Sequence, residues 1–222
     1  MRCALYFGSF NPLHKGHIAI AKYVMENCNV DSVRLVLSPQ SPFKDNSILQ
    51  DPNQRLEELQ KSIARFNKEY AAADETFQES EGARKRDGLQ ESIENLESER
   101  IKESEEDKEP QRKRLEISTI EFNLPRPNYT YNTLQYLKKL EPQNTFLLVM
   151  GADNLAVIEK WYKGLEILQE FEVLVYPRTG FDTMALCKKY GATYLNAPLN
   201  NISSTMIREG EKSGQDMSNF RY

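Results

Sequence analysis

GSFNPLHKGH, Gly8–His17, follows the apolar run RCALYF and holds both histidines of a 222-residue chain. A short apolar run stopped by glycine is a buried-strand signal, and from Lys15 onward Ile18, Ala21 and Met25 recur near one helical face. The stretch therefore reads as strand, turn and helix start. Backbone N–H groups and the helix dipole at such a junction favour an anion. Gly8 and Gly16 let backbone approach a ligand closely, and Pro12 fixes the loop. His14 and His17, three residues apart, can face one space and donate to charge growing on a transferring phosphoryl group. A lone histidine at a helix start is most often a cap or a hydrogen-bonded surface group, but two in a Gly/Pro-bounded loop at a strand end favour a functional role. Metal ligation is disfavoured, because no neighbouring Cys, His, Asp or Glu supplies a third and fourth ligand at a known spacing. The dinucleotide fingerprint GxGxxG is absent.

Outward from this stretch the pattern alternates. SVRLVLSP reads as a strand stopped by Pro39. DPNQRLEELQKSIARF reads as a helix capped by Asp51, with Pro52 first and Leu56, Leu59, Ile63 and Phe66 as its stripe. Further on, ISTIEF, NTFLLVMGAD, FEVLVYP and TYLNAPL read as strands. TYNTLQYLKKL, a segment through WYKGLEILQ, DTMALCKKYG (closed by Gly191) and SSTMIREGEKSG (Ser-capped) read as helices. Near-continuous apolar strands alternating with helices imply an α/β fold: a Rossmann-like parallel sheet with helices on both faces. Ligands of such sheets bind beyond the carboxyl ends of the strands, where GSFNPLHKGH falls.

Residues 67–116 differ, with 16 acidic and 10 basic residues in a chain of net charge −4. The remainder is slightly basic, which suits a phosphate-bearing small molecule. The charged stretch reads as a helical insertion, a surface arm rather than a solvated disordered segment, since Leu89, Ile93, Leu96 and Ile101 make a thin helical stripe with Gly82 and Gly88 as breaks before it. The expected organisation is one domain over 1–222, interrupted at about 68–114 by an insertion through which a homo-oligomer is possible. Cys3, Cys28 and Cys187 lack CxxC spacing and read as reduced structural thiols. No apolar run approaches the roughly 20 residues that span a bilayer, and MRCALYF is too short for a secretory signal. A cytoplasmic protein with neither a membrane nor nucleic acid as partner is expected.

GSFNPLHKGH resembles the HxGH signature of the nucleotidyltransferase α/β-phosphodiesterase superfamily, and ISSTMIR, Ile202–Arg208, resembles its ISSTxxR signature. Three further stretches resemble the nicotinate-nucleotide adenylyltransferase family: RPNYTYNTLQYL, GADNLAVIEKWYKGLEIL and VLVYPR. SPFK, 41–44, takes the place of that family's PPHK-like loop, with Phe43 where many members carry His. The resemblance covers roughly 2–66 and 116–215.

It implies an enzyme of NAD biosynthesis that joins ATP, with Mg²⁺, to nicotinate mononucleotide. The products are nicotinate adenine dinucleotide and pyrophosphate. Alternatives are nicotinamide mononucleotide or another phosphate as acceptor, or an inactive nucleotide-binding interaction protein. The implied catalytic residues are His14 and His17. Gly8, Ser9, Phe10, Ser203, Ser204, Thr205 and Arg208 would bind ATP. Lys44, Thr130, Asp153, Trp161, Tyr162 and Arg178 would bind the mononucleotide, with Trp161 stacked on its pyridine ring. No protein-held metal is implied. Several of these residues have structural alternatives: Ser203 and Asp153 as helix caps, and Trp161 as core.

Overall fold

Among the described residues six parallel strands form one sheet in the order β3-β2-β1-β4-β5-β6: β1 Arg2–Gly8, β2 Ser32–Leu37, β3 Arg114–Ser118, β4 Thr145–Gly151, β5 Glu172–Tyr176 and β6 Thr193–Tyr194. The computed structural model describes residues 1–40, 50–87 and 113–222, the side chains of 74–87 excepted. The order reverses direction between β1 and β4, and that crevice is where a doubly wound sheet takes its ligand.

The strands alternate their side chains between two cores. Ala4 and Tyr6 of β1 pack with α1 (Lys15–Asn27) and α2 (Pro52–Asp87), where Leu59, Ile63 and Phe66 are buried. Cys3 and Leu5 face the opposite layer. There Leu134 and Leu137 of α3 (Thr130–Leu140), Leu155 of α4 (Ala152–Leu155), Ile167 of α5 (Gly164–Glu170) and Cys187 of α6 (Thr183–Tyr190) close over the sheet. The last helix is α7, Ser204–Lys212. The α/β expectation of helices on both faces holds, and the three cysteines are free thiols. Among the described residues no helix is long and apolar enough to cross a membrane.

Local signals fared unevenly. Asp51 accepts from the N–H groups of Asn53 and Gln54, capping α2 ahead of Pro52 as expected. Gly191 closes α6 at φ +69°, a left-handed position that glycine adopts without strain. The second helix does not stop near Phe66, however. It runs 36 residues from Pro52 to Asp87, passes through Gly82 without a break, and extends past residue 68, where the insertion was expected to start. The apolar stripe Leu89–Ile101 lies outside the described residues. ISTIEF is also divided: the third strand starts earlier, at Arg114, and Ile120–Phe122 form a 3-10 turn. The segment after β4 is not one helix but α4, a 3-10 turn at Ile158–Lys160, and α5.

Candidate active site

The loop after β1 ends on His14, the N-cap of α1. Its Nδ1 accepts from the His17 backbone N–H at 3.3 Å, and His17 Nδ1 accepts from the His14 backbone N–H at 3.3 Å. The pair is thus a capping box built from two imidazoles, which bears out the cap reading. The rings stack with centroids 3.6 Å apart and planes 22° apart. Since each Nδ1 accepts, each ring carries its proton on Nε2 and presents that N–H as a donor. Gly16 makes room for the box: a Cβ there would stand 2.9 Å from His14 Nδ1 and 3.0 Å from Asn200 Oδ1.

Phe10 is buried at φ +43°, with its ring edge-on to His17 at 5.1 Å and to Tyr6 at 5.9 Å. A Cβ on Gly8 would meet the Phe10 ring at 3.0 Å, so the glycine admits this turn.

The second signature is tied to the first. The Ser204 hydroxyl donates to the Pro12 carbonyl at 3.1 Å, and Arg208 Nη1 donates to the Asn11 carbonyl at 2.6 Å. Arg208 Nη2 donates to Thr205 Oγ1 at 3.2 Å. Ser203 caps α7 by accepting from the Met206 N–H. The hydroxyl proton of Ser204 is therefore committed to the loop, whereas Ser203 and Thr205 are engaged as acceptors and keep theirs to give.

Across the crevice, Arg178 follows β5 and Asp153 lies in the first turn of α4. Arg178 Nε and Asp153 Oδ1 are 3.5 Å apart, an ion pair too long for a hydrogen bond, and both atoms are buried without a hydrogen-bond partner among the described residues. Arg178 also lies over the Tyr176 ring at 5.2 Å, and Tyr176 Oη is 3.2 Å from Tyr6 Oη. Tyr6, His14, Tyr176, Arg178 and Asn200 line a cavity of about 10 Å³, room for about one water. This brings Arg178 to the histidines, more centrally than the sequence suggested.

Burial, with the Arg178 charge second, lowers the His14 pKa from 6.5 to about 4. The ring is neutral at neutral pH, as its accepting Nδ1 requires. The unfolded chain binds a proton near pH 6.5 that the folded chain refuses until about 4, so acid favours unfolding. Stability is expected to fall as pH drops through that window, by about 3 kcal/mol in all. Urea titrations between pH 7 and 4 check this. His14→Gln should flatten the slope, and an equal slope in both proteins would place its origin elsewhere.

Trp161 is half-buried against the α3–α6 core. Tyr162 is exposed and stacks on Tyr129 at 4.7 Å, with Tyr131 edge-on at 6.3 Å and Lys163 Nζ 4.7 Å from the Tyr131 ring. Thr130 opens α3 directly beside them. Lys44 and Phe43 lie outside the described residues.

Sequence reasoning missed four residues. Tyr129 completes the aromatic stack, and the aromatic-rich run NYTYNT was its signal. Asn200 accepts from the Ile202 N–H at 2.9 Å and shapes the entry to α7. Glu121 is buried, with its carboxyl pKa pushed up by burial, and takes the Thr133 hydroxyl at 2.9 Å, which fixes the α3 entry. Arg55 is 1% exposed. Its only signal was a cation in the first turn of a helix, where the dipole disfavours it.

A cytidylyltransferase-like family model matches residues 5–210. A Flavobacterium psychrophilum protein named "Probable nicotinate-nucleotide adenylyltransferase" is 33% identical over 219 residues, covering 98% of this chain and 90% of the relative. One of the same name from Azobacteroides pseudotrichonymphae is 32% identical, with coverage of 98% and 90%. Among solved structures, Plasmodium falciparum nicotinic acid mononucleotide adenylyltransferase complexed with NaAD shares the fold at TM-score 0.63 and 17% identity, covering 98% of this chain and 87% of that one. The sheet that places both signatures at its switch point and the length of these matches agree: the chain belongs to the cytidylyltransferase-like family and, within it, to the nicotinate-nucleotide adenylyltransferases.

Proposed function

We propose that the protein transfers the adenylyl group of ATP to nicotinate mononucleotide, giving nicotinate adenine dinucleotide and pyrophosphate, in the cytoplasm. The observation that carries this reading is the reciprocal histidine cap. It presents two Nε2–H donors at the switch point, beside Arg178 and a loop bonded to Arg208 and Ser204. Neutral, preorganised donors of this kind stabilise charge that grows on a reacting phosphorus without giving up a proton.

A 5′-phosphate oxygen of the mononucleotide attacks the α-phosphorus in line. The bond from that phosphorus to the bridging oxygen of the β-phosphate breaks, and pyrophosphate leaves. The acceptor phosphate is already an anion, so no side-chain nucleophile and no general base are required; positioning and electrostatics do the rest. His14 and His17 would donate to non-bridging α-phosphate oxygens. The α7 N-terminus and Arg208 would receive the β- and γ-phosphates. Trp161 and the Tyr129–Tyr162 stack would offer an aromatic surface to the pyridine ring, and Asp153 and Thr130 would hydrogen-bond the mononucleotide.

Magnesium would enter with the substrate as Mg·ATP, and ATP and water are expected to supply most of its ligands. Among the described residues no group of three or more His, Cys, Asp or Glu is arranged to hold an ion.

Pyrophosphate release from Mg·ATP with nicotinate mononucleotide, and separately with nicotinamide mononucleotide at matched concentration, is the deciding assay. Preference for the acid is expected. Preference for the amide would move the acceptor while keeping the mechanism, and silence with both would refute the reading.

A further inference from the structure

Arg55 sits in the first turn of α2 and is 1% exposed. Its Nη1 donates to the Ser9 carbonyl at 2.7 Å and the Ser38 carbonyl at 3.0 Å, its Nη2 to the Pro39 carbonyl at 2.8 Å, and its Nε to the Gln50 carbonyl at 3.1 Å. Four donors of one guanidinium thus join three segments: the loop after β1, the exit of β2, and the lead-in to α2. Among the described residues no carboxylate is within ion-pair distance of it. Burial disfavours its charged form, and the Asp51 carboxylate at the head of the helix offsets only part of that penalty. A residue that serves only packing would be apolar here.

We propose that Arg55 is a positioning residue for adenylyl transfer. It fixes the Ser9–Phe10 peptide and the base of the β2–α2 connection in one geometry. Carbonyl and N–H of a trans peptide point opposite ways, so drawing the Ser9 carbonyl toward α2 turns the Phe10 N–H to the other side of the loop. The left-handed Phe10, whose ring touches His17, is thereby set. The buried charge also adds a positive field beneath an anion site. A lysine has the charge but not the planar fork, so it cannot serve four carbonyls at once.

This inference rests on the proposed function, so the test includes Mg·ATP binding, which does not depend on the acceptor. Arg55→Lys and Arg55→Ala are compared with the parent by calorimetry with Mg·ATP, by steady-state kinetics and by thermal melting. Both are expected to lose at least tenfold in ATP affinity and more in kcat than in KM for the mononucleotide. Millimolar guanidinium chloride should restore part of the loss in Arg55→Ala, where sodium chloride and urea do not. ATP affinity and kcat within threefold of the parent in Arg55→Lys would overturn the proposal. So would losses that follow melting temperature and ignore guanidinium, or failure of Arg55→Lys to fold, since either assigns Arg55 to stability alone. A parent that binds Mg·ATP but makes no dinucleotide would instead refute the proposed function, and the binding comparison would still decide on Arg55.

Discussion

His17→Ala is expected to lower kcat by about 10²–10³ in a protein that still folds. The side chain has a structural and a proposed catalytic part. Its Nδ1 accepts the His14 N–H, and half of the capping box disappears with it, at a cost of about 1 kcal/mol of stability. Its Nε2–H would donate to the α-phosphate only as charge accumulates there, so the larger effect belongs to turnover. KM for ATP should move little, because the triphosphate is gripped elsewhere in the ground state.

His14 and His17 are stacked at 3.6 Å and hold each other by reciprocal bonds, so they act as one unit. The double variant should therefore be barely slower than either single one, far from the product of the two losses. Steady-state and single-turnover rates on the three variants, with circular dichroism to confirm folding, make the check. A kcat within threefold of the parent for His17→Ala would remove the donor role. Multiplicative losses would show the rings working separately.

The same pair shows what was legible in the sequence. HKGH displayed the spacing and the helix start. It did not display that both rings spend Nδ1 on the backbone and so fix the tautomer, because that depends on the φ and ψ of residues between them. The strand order was hidden in the same way. Apolar runs announce parallel strands, but only the crossovers put β1 beside β4 and so bring Arg178 to His14. Arg55 was least legible. A single arginine among charged neighbours in QRLEELQK looks solvated, and only three converging segments make it a buried clamp. The misjudged end of α2 has a simpler origin. Hydrophobic periodicity fades after Phe66 and Tyr70, which still packs against the core, yet good helix formers such as Lys68, Glu69 and Ala71–Ala73 carry the helix onward. ISTIEF failed for want of context, since Leu115 is buried beside β2 but lies within a run of charges that masks the start of the strand.

Arg208→Ala is expected to lower kcat/KM for ATP by about 10². Arg208 bridges two things, the Asn11 carbonyl of the histidine loop at 2.6 Å and the Thr205 hydroxyl on its own helix at 3.2 Å. It can therefore matter by holding the loop or by holding phosphate, and kinetics separate these. A residue that only braces Asn11 misplaces the histidines when it is lost: kcat falls while ATP and pyrophosphate still bind. A residue that holds the β- and γ-phosphates weakens both ligands together, because pyrophosphate is the same group after the bond has broken. The expected result is a parallel rise in KM for ATP and in the inhibition constant for pyrophosphate, with a smaller fall in kcat. Arg208→Lys should recover less than tenfold, since one ammonium cannot reach a carbonyl and a hydroxyl on different elements and still face an anion. Unchanged pyrophosphate inhibition in Arg208→Ala would leave phosphate binding to the α7 N-terminus and Thr205, and would reduce Arg208 to the bolt between the two signatures.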